Sequence, residues 1–363
     1  MKVKVNAKKN LLLIIDNLKK GGAEILLAGI LPDLNNNFEV IVVTLSAECN
    51  FHEKEIQCKK RYSLGFKNKF SILFSVFKLK KIIKKHQPCL IHSHLFYSSL
   101  IARMACPSNI PLIYSVHGEM SKNVFNNSKI FTFLEKKTIK KNHSVITVSD
   151  TVLKDYENII GKHNRAFVLK NYISDVFFSK SLSKNPAGLQ SIKLVAVGNI
   201  KKAKNYEFLI DAFEHLKGYS ISLDIYGHGN EKDFENLENK ISKNKLPIYL
   251  KNSTDNIHEI LRNYDLYVSS SKHEGFGIAA VEAMASGLPL LLSDLPVFHE
   301  VTFDNALFFD AIHPISFVHL IKNIFEGKYD LSQLSKNGIE TAKQYSKQRY
   351  LADLYSIYTQ ILE

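Results

Sequence analysis

No apolar run in this 363-residue chain approaches the ~18 residues that a membrane span requires; Leu11–Ile15 is a core segment of strand length. The N-terminus shows no signal-peptide pattern, so the expected compartment is the cytoplasm. Cysteine is scarce: Cys49, Cys58, Cys89 and Cys106 form no CxxC pair and no metal-ligand spacing. They read as reduced thiols, which excludes a disulfide-stapled secreted scaffold. Asp-x-Asp occurs nowhere, so a divalent metal lacks that carboxylate anchor, and neither metal nor cofactor is expected.

What the chain has in excess is positive charge, unevenly placed. Residues 1–183 hold 29 Lys and Arg against 13 Asp and Glu, net +16, while the remainder is net −3. Such asymmetry implies an anionic partner for the first half. Nucleic acid and an anionic membrane surface both fit the charge alone. The length accommodates two domains of ordinary size, and the hydrophobic fraction of 45% is that of a globular protein.

The stretch from Ser271 to Pro289 organises the rest. Asp265–Ser269 reads as a strand and Ile278–Ser286 as an Ala-rich helix, stopped by Gly287 and Pro289. Between them lies Glu274-Gly275-Phe276-Gly277, whose glycines let backbone N–H groups approach a ligand. Those amides sit at a helix N-terminus, which favours negative charge. Glu274 belongs to the loop and Glu282 projects from about the second helical turn, amid Val281, Ala283 and Met284. A carboxylate on so apolar a helix needs a partner. Two carboxylates at different depths suit two hydroxyl-bearing parts of one ligand.

Glu-Gly-Phe-Gly followed by Glu-Ala-Met-Ala-x-Gly-x-Pro resembles the signature of glycosyltransferase family 4, the large retaining group with the GT-B fold. The resemblance implies an α/β architecture of two Rossmann-like domains facing across a cleft, with a C-terminal helix packing back on the first. Its expected division is an acceptor domain over residues 1–183, a donor domain over 184–345 and a returning helix over 346–363. It further implies that Glu274 contacts hydroxyls of the donor sugar and Glu282 the ribose of a nucleotide-sugar, with Gly275, Phe276 and Gly277 lining the donor.

Other segments extend the likeness in chain order. After the Leu11–Ile15 strand, Gly21 and Gly22 precede a helix near Ala23–Leu34, a turn too short of glycines to be a dinucleotide fingerprint by itself. In the family this Gly-Gly loop lies close to the donor phosphates. Leu90–His94 ends a strand in Ile-His-Ser-His, a pair that by itself suits a metal or a structural role equally; in the family this segment lies at the cleft edge, which implies His94 as an acceptor-side candidate. Leu112–Val116 delivers His117-Gly118 to a strand end, where open α/β sheets bind ligands. Ser-Val-His-Gly resembles the motif whose His contacts the sugar near its reacting end. Ser149, at a helix start after Val145–Val148, matches a further acceptor-side position. Asn171-Tyr172-Ile173 stands where the family has Asn-Gly-Val.

Ser179–Ser191, rich in Ser, Lys, Asn, Pro and Gly, reads as a linker. Past it, the Ile192–Val197 strand ends in Gly198-Asn199-Ile200-Lys201-Lys202-Ala203-Lys204 before a helix over Tyr206–Leu216. Cations at a strand-to-helix turn suit a diphosphate. The family has Gly-Arg-x-x-x-x-Lys here; Lys204 matches the Lys, but Asn199 replaces the Arg and supplies no charged fork. Lys201 or Lys202 is then the compensating cation. Further strands are expected over Val40–Leu45, Phe167–Leu169, Ser222–Tyr226 and Leu290–Ser293, a loop over Asp294–Glu300, and helices over Ile315–Glu326, Leu331–Ala342 and Lys347–Leu362.

Two amphipathic segments, Phe70–Lys85 and Lys129–Lys141, interleave phenylalanine with lysine. Each is either a sheet-covering helix with a solvated basic face or an interfacial patch for anionic lipid. Two such segments in one domain favour the membrane reading more than either alone.

The expected function is therefore retaining transfer of a hexose-type unit from a nucleotide diphosphate sugar, a UDP-sugar by preference, to a lipid-linked or cell-envelope glycan. The enzyme would be peripheral on the inner face of the cell membrane and metal-independent, with nucleic acid not a partner. A GT-B nucleotide-sugar 2-epimerase shares the donor site and is the first alternative. A basic nucleic-acid-binding protein is the second, but it has no use for the Glu274/Glu282 pair.

Overall fold

The computed structural model describes residues 8–122, 124–125, 128–178 and 190–363. The expected linker falls, through residue 189, outside the described residues. Two compact units form: one runs to Asn171 and includes Tyr350–Glu363, the other spans Tyr172–Arg349.

The first unit alternates strand and helix: β1 (Lys9–Ile15), α1 (Gly22–Asn37), β2 (Phe38–Thr44), β3 (Lys60–Ser63), α2 (Ile72–His86), β4 (Leu90–His94), α3 (Phe96–Ala105), β5 (Leu112–Val116), α4 (Lys129–Thr138), β6 (His143–Thr147), α5 (Asp150–Ile160) and β7 (Ala166–Val168). Its seven strands order β3-β2-β1-β4-β5-β6-β7, every described pair parallel. A parallel sheet covered on both faces needs continuous apolar strands, and Leu11–Ile15 and Val40–Val43 are wholly buried. In β4 the apolar run ends early and His92, Ser93 and His94 are buried instead.

The second unit repeats the plan: β8 (Ile192–Val197), α6 (Tyr206–Glu214), β9 (Ile221–Tyr226), α7 (Glu231–Asn244), β10 (Ile248–Lys251), α8 (Ile257–Ile260), β11 (Leu266–Ser269), α9 (Ile278–Ala285), β12 (Leu290–Ser293), α10 (Pro296–Thr302), β13 (Leu307–Phe309), α11 (Pro314–Phe325) and α12 (Leu331–Ala342). The sheet order is β10-β9-β8-β11-β12-β13, again parallel. Its core gathers β8, β9 and β11 with Phe208, Phe213, Phe309 and Phe317. The last helix, α13 (Lys347–Leu362), belongs from Tyr350 onward to the first unit.

Two readings from sequence are corrected and one unread strand is added. Asp294–Glu300, expected as a loop, carries the start of α10, because Pro296 at the first helical position presets the helical φ. Lys60–Ser63 is an edge strand whose exposed, charged residues hide any strand pattern. The first unit ends before residue 183: Tyr172–Phe178 packs with the second unit, where the Ile173 N–H donates to the Tyr345 carbonyl at 2.9 Å and Ser286 Oγ to the Phe177 carbonyl at 3.4 Å.

Candidate active site

In an open parallel sheet, ligands bind beyond the carboxyl ends of the strands where the strand order reverses. In the second unit that point lies between β8 and β11. Gly198 follows β8, and Gly227, which follows β9, packs against it so closely that a Cβ on Gly227 would stand 2.1 Å from the Gly198 carbonyl oxygen. The chain then makes a short 3-10 turn over Lys202–Lys204. Lys204 Nζ donates to Glu274 Oε1 at 2.6 Å, across 70 residues of sequence. Ser271 Oγ donates to the same oxygen at 2.8 Å, and Oε2 takes no hydrogen bond among the described residues.

The two loops are tied together besides. Ser270 Oγ donates to the carbonyls of Lys204 and Asn205, and the Lys272 N–H to that of Ala203 at 2.8 Å. Tyr206 Oη donates to the Gly198 carbonyl at 2.8 Å. Gly277, the residue before α9, has φ +79°, and a Cβ there would meet the Phe298 ring at 2.7 Å, so glycine is required on both counts. Phe276 is buried edge-on to Tyr345 with ring centroids 5.3 Å apart. Its ring therefore anchors the loop, and any ligand contact at this position falls to the backbone.

Glu282 projects from the second turn of α9, half-buried and with no side-chain partner among the described residues. Burial pushes its carboxyl from the ordinary 4.5 up to about 8. The folded chain thus keeps a proton near neutrality that the unfolded chain has released. Between those two values the native state binds more protons, so stability falls as pH rises through this window and levels off above about 8. Glu282→Gln keeps the shape and removes the titration. Its advantage in melting temperature over the parent chain should grow from pH 5 to pH 8; a constant difference across that range would contradict the assignment.

The remaining donor-side candidates lie around the same turn. Asn199 is exposed, and its Oδ1 accepts from the His228 N–H at 3.4 Å. Lys201 and Lys202 line a pocket of about 270 Å³ with Asn205, Tyr206 and Lys272. Lys272 is a cation that sequence reasoning missed; its one signal was its place just past β11, directly before the Glu274 loop. Asn199 itself supplies no charge, so the cationic character of this turn rests on Lys201, Lys202, Lys204 and Lys272.

In the first unit the order reverses between β1 and β4. Asp16, just past β1, accepts from the Ser98 N–H at 2.9 Å and from its hydroxyl, capping the first turn of α3. Burial raises its pKa. His94 Nδ1 and His117 Nε2 are 3.2 Å apart. His92, one alternation back on β4, bonds Tyr358 Oη at 2.7 Å and Ser115 Oγ at 2.8 Å. Burial lowers all three imidazoles, His117 to about 4 and His92 to about 3, with His94 also well below its usual value. They are neutral near pH 7, so His117 acts as a neutral hydrogen-bonding group. His94 Nε2 is buried without a partner. Leu95, next in sequence, has φ 69° and ψ 169°, a conformation close to glycine-only, and such strain concentrates at functional sites.

Gly21 precedes α1 and Gly22 opens it; a Cβ on Gly21 would meet the Glu24 carboxylate at 2.5 Å. Ser149 is buried and its Oγ accepts from the Val152 N–H at 3.1 Å, so the hydroxyl is engaged in capping α5. His117 also borders an apolar pocket of about 250 Å³ with Leu95, Phe96, Val116 and Met120. Its floor holds a buried ion pair that sequence did not disclose: Arg103 bonds Glu135 through Nη2 and Thr138 Oγ1 through Nε at 3.0 Å, over the Tyr114 ring. No group of three or more His, Cys, Asp or Glu side chains is placed to hold a metal ion among the described residues.

Residues 20–175 match the model of Glycosyltransferase Family 4, and residues 177–342 that of Glycosyl transferases group 1. A glycosyltransferase of Methanocaldococcus jannaschii is 25% identical over 299 residues, 80% of this chain and 81% of that one. The O-antigen chain mannosyltransferase RfbU of Salmonella typhimurium is 29% identical over 208 residues, covering 53% and 54%. Among solved structures, HepE of Anabaena in complex with UDP superimposes with a TM-score of 0.82 at 16% identity, over 97% of this chain and all of that one. A glycosyltransferase from Rickettsia africae gives 0.81 at 16%, over 98% and 99%. With both halves of the chain matched and each unit built on a parallel sheet, the protein belongs to the family 4-type glycosyltransferases of GT-B fold.

Proposed function

We propose that this glycosyltransferase transfers a hexose-type unit from a UDP-sugar, with retention of anomeric configuration, to a hydroxyl of a lipid-linked or cell-envelope glycan. The observation that carries the donor half is the Lys204–Glu274 pair at the sheet's reversal point, with the unpartnered Glu282 on the helix that follows. A cation suits a pyrophosphate and an open carboxylate oxygen suits sugar hydroxyls. Glu282 is given the ribose, and His117 and Glu274 the sugar. HepE, whose fold is shared, was solved with UDP, which supports the choice of nucleotide. The relation to RfbU supports a polysaccharide acceptor.

In this reading the bond from the anomeric carbon to the diphosphate oxygen breaks, and the acceptor oxygen bonds to the same face. The acceptor's proton ends on the departing diphosphate. Lys204, Lys201, Lys272 and the amides before α9 stabilise the charge that develops there, a preorganised electrostatic role, and no metal enters the scheme. Exposed phenylalanines and lysines on α2 and α4 support a peripheral position on an anionic membrane face: Phe77 is 64% exposed and Phe133 59%. No helix among the described residues is long and apolar enough to cross a membrane.

The test is a thermal-stability screen of UDP-, GDP- and other nucleotide-sugars, followed by product analysis. A ligand at a hundred times its Kd adds about 2.7 kcal/mol to stability, so UDP-sugars are expected to raise the melting temperature clearly. With donor alone the expected product is slowly released sugar; a changed sugar still joined to nucleotide would mark an epimerase. Salt-dependent nucleic-acid binding that survives Glu282→Ala, with no response to any nucleotide-sugar, would overturn the reading.

A further inference from the structure

The exposed side of α2 changes character along its length. Phe70, just before the helix, then Leu73, Phe74 and Phe77 are all more than half exposed, and Lys80, Lys81, Lys84 and Lys85 continue the exposed surface to the last turn. At that end lies a groove of about 750 Å³ lined by Lys80, Ile83, Lys84, Met104, Ile110 and Lys140 among others, with no carboxylate in its lining. The groove meets the sheet at Cys89 and Ile110, just before β4 and β5. It is thus at the amino ends of the strands, the opposite edge from His94 and His117.

Three lysines around an apolar floor are an unusual use of charge. Lys140 is held in place by donation to the Cys106 carbonyl at 3.1 Å, which leaves further N–H donors on the same ammonium. Lys80, Lys84 and Lys140 have no carboxylate partner among the described residues. The negative pole of α2 points this way, but it amounts to about half a charge. The three ammonium groups outweigh it. The groove is therefore left net positive and open to an anion.

We propose that this groove takes the phosphate headgroup of an anionic phospholipid while Phe70, Leu73, Phe74 and Phe77 enter the acyl region beside it. The inference rests on the peripheral-membrane reading above and deepens it from general attraction to a defined headgroup site. One stripe of one helix carries both parts: side chains with no hydrogen-bonding handle, followed by cations over an apolar floor. That sequence matches the order of acyl chain and phosphate in a lipid. A soluble anion has no use for four exposed apolar side chains. Leu73 and the similarly exposed Ile130 on α4 offer nothing for bases to stack on, which favours lipid over nucleic acid.

The experiment is vesicle co-sedimentation of the full chain, with phosphatidylcholine vesicles and with the same vesicles carrying phosphatidylglycerol. Three double variants are compared: Phe74→Ser/Phe77→Ser, Lys80→Ala/Lys84→Ala, and Lys81→Ala/Lys85→Ala. The last removes the same charge from the same helix outside the groove. A surface lysine near an anionic membrane contributes about fivefold in affinity, so a purely diffuse attraction weakens both lysine variants alike. The expected result is binding only with phosphatidylglycerol, loss with the serine variant, and roughly tenfold greater loss for Lys80→Ala/Lys84→Ala than for its charge-matched control, beyond the fivefold per lysine. Equal loss in the two lysine variants overturns the headgroup site while leaving the membrane reading intact. Binding of soluble glycerol phosphate that is lost in Lys80→Ala/Lys84→Ala, while vesicle binding by that variant equals the parent's, overturns it in favour of a soluble anion. Equal affinity for a short RNA with the same lysine dependence overturns it in favour of nucleic acid. If the parent chain binds no vesicle, both readings fall.

Discussion

Lys204→Met is expected to weaken binding of UDP by roughly ten- to a hundredfold, the value of a charge-assisted hydrogen bond at about 1.5–3 kcal/mol. Two effects add. The pyrophosphate loses its cation, and Glu274, which Lys204 Nζ meets at 2.6 Å, is left as an uncompensated negative charge beside it. Methionine preserves most of the side chain's length, so the loss reports charge and not shape. Space is tight on that side: a Cβ on Gly198 would stand 2.7 Å from Lys204 Cε, and the branched guanidinium of Lys204→Arg is not expected to restore affinity.

Glu274→Gln separates the two partners' roles. It should leave UDP affinity unchanged or improved, because a negative charge near the phosphates is gone. It should reduce affinity for the UDP-sugar and slow transfer, because the carboxylate proposed to accept sugar hydroxyls becomes a neutral amide. Calorimetry with UDP and with UDP-sugar on both variants decides the matter. Unaltered UDP affinity in Lys204→Met would remove Lys204 from the donor site.

Glu135→Ala should cost about 3–5 kcal/mol of folding stability, enough to lower the urea midpoint markedly, because it leaves the Arg103 charge buried and unpaired. Both side chains are essentially inaccessible, at 0% and 2%. Glu135 also accepts from Tyr156 Oη at 2.8 Å, and that oxygen lies 3.1 Å from Tyr114 Oη, which can donate to it, so one deletion unsettles Arg103, Tyr156 and Tyr114 together. The double replacement Arg103→Met/Glu135→Leu removes both charges together and should recover most of the loss, since buried pairs seldom outperform well-packed apolar residues of similar size. A double variant as unstable as Glu135→Ala would show that packing at this site, and not the stranded cation, carries the cost. Arg103 and Glu135 line the pocket that His117 borders, so partial loss of folding here should be accompanied by altered exposure of His117 in hydrogen exchange or NMR.

Local signals were strong where backbone chemistry is local. Leu90–His94, Leu112–Val116, Ile192–Val197, Leu290–Ser293, Leu331–Ala342 and Lys347–Leu362 have in the structure the bounds that their composition suggests. Uninterrupted apolar runs and helix stops depend on neighbours a few residues away. The signature from Glu274 to Pro289, with its glycine-requiring Gly277, was legible for the same reason, and with it the family and the fold. Edge strand β3 and helix α10 were not, since one lacks an apolar pattern and the other looks like a loop until Pro296 is seen to begin it.

Which side chains meet was decided by tertiary structure alone. Lys204 reaches Glu274 because β8 and β11 lie side by side although nearly seventy residues separate them, and His94 reaches His117 because β4 and β5 are adjacent. Strand order and register set those distances, and a one-dimensional pattern contains neither. Desolvation is likewise a property of the assembled fold: it makes Glu282 a proton-holding acid and keeps the three histidines neutral, and it depends on every element packed around them.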